Sequence, residues 1–293
     1  MKQRERSSGS GAHGRSSPLL WVLFALGALG THFAHAQTPS PLQEWQYPGG
    51  ITLERLFEPK SPKWRVIAGA GMSLHPAYTG SSVYLLQAGP AFNILYRDIA
   101  FFSAGEGLGV NLAEGRHYRI SLALGLDMGR RTENDIGHLY GLRDIGRAPY
   151  FKLSASYAIS KRVPIVLRGD VRRIVGGASG YMGDLEFYLP VPGSSSKLVM
   201  FAGPSVTFAD ARHMRTTFGV TRAQADASGL PVYLAHGGLD EAGLGFSATR
   251  FVTRHLLLNM DAAVNHLFGS AAASPITRRR TQEVVTFTAA YQW

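Results

Sequence analysis

Apolar and polar residues alternate along most of the chain beyond Trp64, with turn-forming residues between one alternating stretch and the next. The clearest stretch is VYLLQAGPAFNILY, in which Tyr84, Leu86, Ala88, Pro90, Phe92, Ile94 and Tyr96 fall on one side. Successive side chains of a strand point to opposite faces, so this period of two predicts strands with one apolar face. The segment RHYRISLALGLDM sets Tyr118, Ile120, Leu122, Leu124, Leu126 and Met128 against His117, Arg119, Ser121, Ala123, Gly125 and Asp127. The last residues, TQEVVTFTAAYQW, place Val285, Phe287, Ala289, Tyr291 and Trp293 in one row and Gln282, Val284, Thr286, Thr288, Ala290 and Gln292 in the other.

Eleven strands are expected, at about 64–72, 83–96, 99–111, 116–129, 148–159, 163–176, 180–190, 196–208, 236–250, 254–266 and 281–293. A soluble sandwich and a membrane barrel look alike strand by strand, because one buries the apolar face and the other turns it to lipid. Three features together favour the barrel: an export signal, aromatic residues at strand ends, and an aromatic last residue. The predicted fold is therefore an all-β antiparallel transmembrane barrel of the outer membrane. Single-chain bacterial barrels have an even number of strands, so twelve are expected, with ten as the alternative. The missing strand is sought ahead of Trp64, in QYPGGITLERLF. If the last strand descends to the periplasm, the long connections 130–147, 209–235 and 267–280 fall outside the cell. Pro90 needs a bulge or a locally unpaired position, since proline cannot donate to a ladder.

The export signal is read from the first 36 residues. A polar, basic segment precedes the apolar run Pro18–Gly30, and Ala34-His35-Ala36 has the form of a cleavage site. With 13 residues, the run is shorter than the roughly 18 of a spanning helix. Residues 1–36 are thus expected to be cleaved, 37–62 to form a periplasmic lead-in that could include the first strand, and 63–293 to form the barrel. The chain holds no cysteine, so no disulfide braces it. Its formal charge is +10; Lys2, Arg4, Arg6 and Arg15 against Glu5 carry +3 of it, leaving +7 for the mature chain. In an exported protein that balance points to anionic lipid headgroups, including lipopolysaccharide, or to an acidic envelope polymer, and not to nucleic acid.

The polar rows hold the candidate chemistry. Arg119, Asp127, Arg168, Asp170, Arg172, Glu186, Asn259 and Asp261 are expected to face the lumen, as an ion-paired plug or as the wall of a polar pore. Tyr84, Tyr96, Phe287, Tyr291 and Trp293 are expected to serve as membrane girdle and, at the C-terminus, as a signal to the barrel-assembly machinery. Glu283 shares a side with Trp293 and is expected at the outer rim. Arg278-Arg279-Arg280 is a basic run in the last outer loop, either solvated or set for lipopolysaccharide phosphate. His117 and Asp127 share a row but stand ten residues apart, about 30 Å along a strand, too far for a catalytic dyad. GAGMSL and GEGLGV are glycine-rich, but neither opens a helix after a strand, so no cofactor is expected.

Several stretches together resemble the MipA/OmpV family of outer-membrane proteins. HPAYTGSSVYLLQAGPAFNILYRDIAFFSAGEGLGVNL carries Pro76, Tyr78, Gly80 and Ser81, and GRRTENDIGHLYGLRDIG carries Gly129, Arg130, Asp135, Leu139, Gly141, Leu142 and Asp144. TTFGVT, GGLDEAGLG and SPITRRRTQ carry Phe218-Gly219-Val220, Gly237-Gly238-Leu239 and Ser274-Pro275-Ile276. The resemblance implies an outer-membrane barrel without catalytic residues. It also implies a scaffold that brings a murein lytic transglycosylase to a penicillin-binding synthase. A narrow channel for small solutes is the alternative drawn from the charged rows.

Overall fold

The computed structural model describes residues 63–115, 117–159 and 165–293. Twelve antiparallel strands close into a barrel: β1 (Trp64–Pro76), β2 (Tyr84–Tyr96), β3 (Ala100–Ser103), β4 (Gly107–Glu114), β5 (Tyr118–Asp127), β6 (Ala148–Ala158), β7 (Val166–Ile174), β8 (Gly180–Pro190), β9 (Leu198–Ala209), β10 (Gly238–Phe251), β11 (Leu256–Leu267) and β12 (Thr281–Gln292). Each strand pairs with its neighbours in sequence, and β1 closes on β12 from Ile67↔Gln292 to Leu74↔Val285. Closure is how an antiparallel sheet satisfies its backbone within lipid. Among the described residues, no helix is long and apolar enough to cross a membrane.

The expected number of strands is correct, but the twelfth is not where the sequence suggested. β1 already pairs on both sides, with β2 and β12. The stretch expected as one strand over 99–111 is instead the hairpin β3–β4, broken at residues 104–106. Gly107 takes φ +79° there, a conformation that a side chain resists, and the Glu106 amide donates to Ser103 Oγ at 3.0 Å. The glycine-rich stretch GEGLGV holds this turn, and its small residues do not interrupt the alternation enough to reveal it. The expected signal peptide, the lead-in and the strand sought in QYPGGITLERLF lie outside the described residues.

The two faces of the sheet follow the alternation. The outward residues Leu108, Leu122, Leu124, Leu126, Phe151 and Leu153 of β4, β5 and β6 are all exposed. Their inward neighbours Ser121, Ala123, Lys152 and Ser154 are all buried. A continuous exposed apolar surface of this kind is foreign to a soluble monomer and is what lipid requires.

The ends of the barrel differ. At the end where Trp293 lies, the strands are joined by short stretches of chain. The opposite end carries the three longest, 128–147, 210–237 and 268–280, which marks it as the outer end. These loops contain α1 (Ile136–Leu139), α2 (Ala211–Phe218), α3 (Arg222–Ser228) and α4 (Gly269–Ala272). Asp210 caps α2 by accepting the His213 amide at 2.8 Å, and Thr221 with Gln224 forms a capping box on α3. The loops share one core: Ala77, Tyr78, Leu139, Leu142, Val220 and Ile276 are buried together, with Val83, Leu85 and Tyr233 against them. This cluster draws on four connections and caps the barrel.

Candidate functional site: the charged lumen and its cap

The inward rows of β6 to β8 form ladders of charge. Register sets Arg168 beside Glu186 and Ser156, and Asp170 beside Asp184 and Ser154. Arg172 pairs with Asp184 and lies 3.5 Å from Asp170; Thr207 of β9 donates to Asp184 Oδ1 at 2.6 Å. Arg168 pairs with Glu106, which Lys152 also approaches at 3.9 Å. The Tyr188 hydroxyl donates to Glu186. Burying charges is costly unless each meets a counter-charge or donor, and this network supplies both.

The residues singled out in the sequence therefore divide. Arg168, Asp170, Arg172 and Glu186 are brought together in one buried network. Arg119 sits nearer the tight-turn end and pairs with the exposed Glu114 at 2.9 Å. Asp127 lies at the outer end of β5 and accepts the Gly129 amide at 2.9 Å, so it fixes the exit of a strand. Across the barrel, Asn259 donates to Thr249 Oγ1 at 3.1 Å beside the buried Asp261. His117 is held at the opposite end of β5 from Asp127, its Nδ1 donating to the Ala158 carbonyl at 3.1 Å, so no dyad forms.

Lumen charges absent from the sequence-based set are Arg65, Glu106, Lys152, Asp184, Asp240 and Glu241. Lys152 and Asp184 sit in alternating rows and could have been read from them. Glu106 belongs to the unseen turn. Asp240 and Glu241 are adjacent yet both buried, because the register of β10 on β9 shifts between Leu239 and Glu241. A bulge that puts two neighbours inward has no signature in simple alternation.

A cavity of about 60 Å³ lies among Asn93, Glu106, Asn111, Arg119, Ser121 and Arg168. It has room for a few water molecules, well below the roughly 300 Å³ of a small-molecule pocket. No cluster of three or more His, Cys, Asp or Glu residues that could hold a metal occurs among the described residues.

The cap above the lumen has its own polar core. Arg130 is 2% exposed and donates from Nη1 to the Thr217 carbonyl at 2.8 Å, with its guanidinium 5.8 Å above the Tyr78 ring. Burial lowers its pKa to about 10. The Tyr78 hydroxyl donates to Asp135 at 3.1 Å, and burial first, then Asp135, raises its pKa. Gln282, from the inward row of β12, accepts the Gly80 amide at 2.8 Å and donates to the Ser81 carbonyl at 2.9 Å. His213 is buried in α2, with Nδ1 donating to the Ala178 carbonyl at 2.8 Å.

The aromatic candidates also divide. Tyr96 packs on Trp64 at 4.6 Å and Tyr291 on Trp293 at 4.7 Å, all at the tight-turn end. The outward pair Tyr118 and Tyr157 joins them there, although neither was in the expected girdle set. Tyr84 stands at the outer rim, its hydroxyl donating to Glu283 at 2.6 Å, and Glu283 pairs with Arg279 at 2.6 Å. Phe287 stands apart from the other four. It pairs with Met72 and Met260 at mid-strand, so it belongs to the apolar band between the girdles.

Among solved structures, the chain is similar to the translocator domain of autotransporter NalP from Neisseria meningitidis, at 12% identity over 89% of this chain and 100% of that one, with a TM-score of 0.41. It is similar to the NanC porin at 8% identity over 78% and 98%, with a TM-score of 0.39. The toluene transporter TbuX of Ralstonia pickettii is similar at 10% identity over 90% and 95%, with a TM-score of 0.35. No curated protein sequence matches the chain. The sequence profile described as "MltA-interacting protein MipA" matches residues 68–293, and the chain belongs to that family of outer-membrane β-barrels.

Proposed function

We infer that the protein is a non-enzymatic scaffold, held in the outer membrane after cleavage of residues 1–36, and that its tight-turn end docks a murein lytic transglycosylase. The observation that carries this reading is the filled barrel. Loops share a core across one mouth, and paired charges occupy the interior, an arrangement suited to holding a surface in place. The family description names an interaction with MltA, which supports a lytic transglycosylase as the partner. A penicillin-binding synthase is the second component that such a scaffold would recruit, and the assembly machinery would read the Tyr291–Trp293 end.

The tight-turn end offers a docking surface of consistent sign. Lys63, Arg97, Lys197, Arg250 and Arg254 are exposed there, with Glu114 as an acidic neighbour. Cross-linking in living cells, followed by purification and mass spectrometry, tests the reading. A lytic transglycosylase should be enriched over an unrelated barrel, and neutralising Arg97, Arg250 and Arg254 together should reduce its recovery several-fold. Recovery of assembly components and lipid alone would overturn it.

A narrow channel is the second reading, and the polar cavity between Glu106, Arg119 and Arg168 supports it. Under that reading, neutralising Arg168 or Asp170 changes bilayer conductance.

A further inference from the structure

The barrel wall has one incomplete stretch. β2 runs from Tyr84 to Tyr96, but β3 pairs with it only from Asn93 to Tyr96. The hairpin tip then turns away, with the Ala104 amide donating to the Phe92 carbonyl at 3.0 Å. That bond fixes which way the backbone points. Residues of even number along β2 face β3, and those of odd number face β1. Above Phe92, the backbone groups of Tyr84, Leu86, Ala88 and Pro90 therefore point to the side where no strand follows. They have no hydrogen-bond partner among the described residues.

Two further observations agree. Pro90 lacks an N–H and sits on that open side, where the lack costs the ladder nothing. Gly89 belongs to the inward row opposite Gly71, and a Cβ added to it would meet nothing within 4 Å. The same addition at Gly71 would meet Thr288 Oγ1 at 3.0 Å. Space thus opens beside β2 and not beside β1.

Hydrocarbon does not tolerate a row of unmet backbone groups, which persist at membrane depth only where water or another polar group reaches them. The opening is framed by the β2 edge, the 104–106 tip, the end of β5 and the outer loop that holds Leu139 and Leu142 against Val83 and Leu85. Its lipid side is apolar, with Leu86, Ala88 and Pro90 all exposed. At its outer end, Tyr84 lies 5.6 Å beneath the Arg279 guanidinium, and Arg278, Arg279 and Arg280 are all exposed at the rim.

We propose that this opening is a lateral binding site for a phosphorylated, multiply acylated amphiphile of the outer leaflet. Its acyl chain lies along Leu86, Ala88 and Pro90, its ester or amide linkages meet the bare edge of β2, and its phosphate rests on Arg278–Arg280. Charge selects the occupant: a cationic rim above an apolar slot matches an anionic head above hydrocarbon. The site is independent of any periplasmic partner, so it stands or falls apart from the scaffold reading.

The absence of native cysteine makes a single reporter straightforward. Gly89→Cys, with Gln87→Cys as a second position, carries a nitroxide in phosphatidylcholine vesicles; Met72→Cys, on the lipid-facing side of β1, supplies the dry reference. The Gly89 label should be open to a water-soluble nickel chelate, while the Met72 label is not. Adding diphosphoryl lipid A should close access at Gly89 and leave Met72 unchanged. The triple variant Arg278→Gln, Arg279→Gln, Arg280→Gln should require about tenfold more lipid A for the same protection. Three results would overturn the proposal: a Gly89 label as dry as that at Met72, a wet label indifferent to lipid A, or equal protection by inorganic phosphate alone.

Discussion

Single residues govern the cap more than the wall. His213 is neutral and enclosed, and burial holds its pKa below the ordinary 6.5, against the opposing pull of Asp127 and Asp210. The unfolded loop therefore takes up a proton before the folded one does as pH falls. The contribution of His213 is complete above about 6.5 and is lost as pH drops from there toward the folded value. Protection factors of the amides in α2 and around Ala178, after correction for the intrinsic pH dependence of exchange, should fall on acidification through this window, and His213→Gln should flatten the response. An unchanged profile in that variant would assign the pH dependence to another group. Arg130 gives a second test, since Arg130→Met leaves the Thr217 carbonyl without its donor. A loss of about 2–4 kcal/mol in local cap stability is expected, read as faster proteolysis of 128–147 with the barrel still heat-modifiable on gels. Arg130 and Tyr78 were visible in the sequence only as members of a family pattern, and His213 was not singled out at all. Arg130 and Tyr78 meet across 52 positions of chain, and alternation has nothing to say about loops that fold over a barrel mouth.

At the scale of elements, the sequence was legible wherever a strand is long and paired on both sides. β5, β6, β7, β8 and β12 lie close to their expected bounds, and the inward rows keep their polar members. Legibility failed where pairing itself changes. The β3–β4 hairpin hides in a run of small residues, and the β10 bulge breaks the period of two at Asp240. Pro90 was an anomaly in the sequence that pairing explains. The same reasoning separates two wall substitutions. Pro90→Ala restores a donor that faces no strand, so its effect on stability should stay within about 0.5 kcal/mol. Gly203→Ala should behave differently, because a Cβ there would run into the Phe187 carbonyl oxygen across the β8–β9 ladder. That clash is expected to cost about 2 kcal/mol or more. The temperature at which the folded band disappears on gels distinguishes the two, and equal midpoints would contradict the register assigned to β8 and β9.

For the molecule as a whole, the question is whether a twelve-strand cylinder with a cap and a charged interior conducts. Two barriers stand in series. The loop core holds Tyr78, Leu139, Leu142, Val220 and Ile276 almost free of solvent, and beneath it Arg172, Asp170 and Asp184 share one buried layer. An ion entering that layer would leave most of its hydration behind, among Arg172, Asp170 and Asp184, which already engage one another. The full chain in a planar bilayer is therefore expected to show no regular conductance steps. Replacing residues 211–234 with a short glycine–serine turn removes one barrier and should still leave the bilayer silent. Adding Arg172→Gln and Asp184→Asn to that variant removes the second barrier without leaving a lone buried charge from that pair, and steps should then appear. Steps in the full chain would favour the channel over the scaffold. Steps after loop removal alone would place the whole barrier in the cap and reduce the charged layer to a device that stiffens the wall.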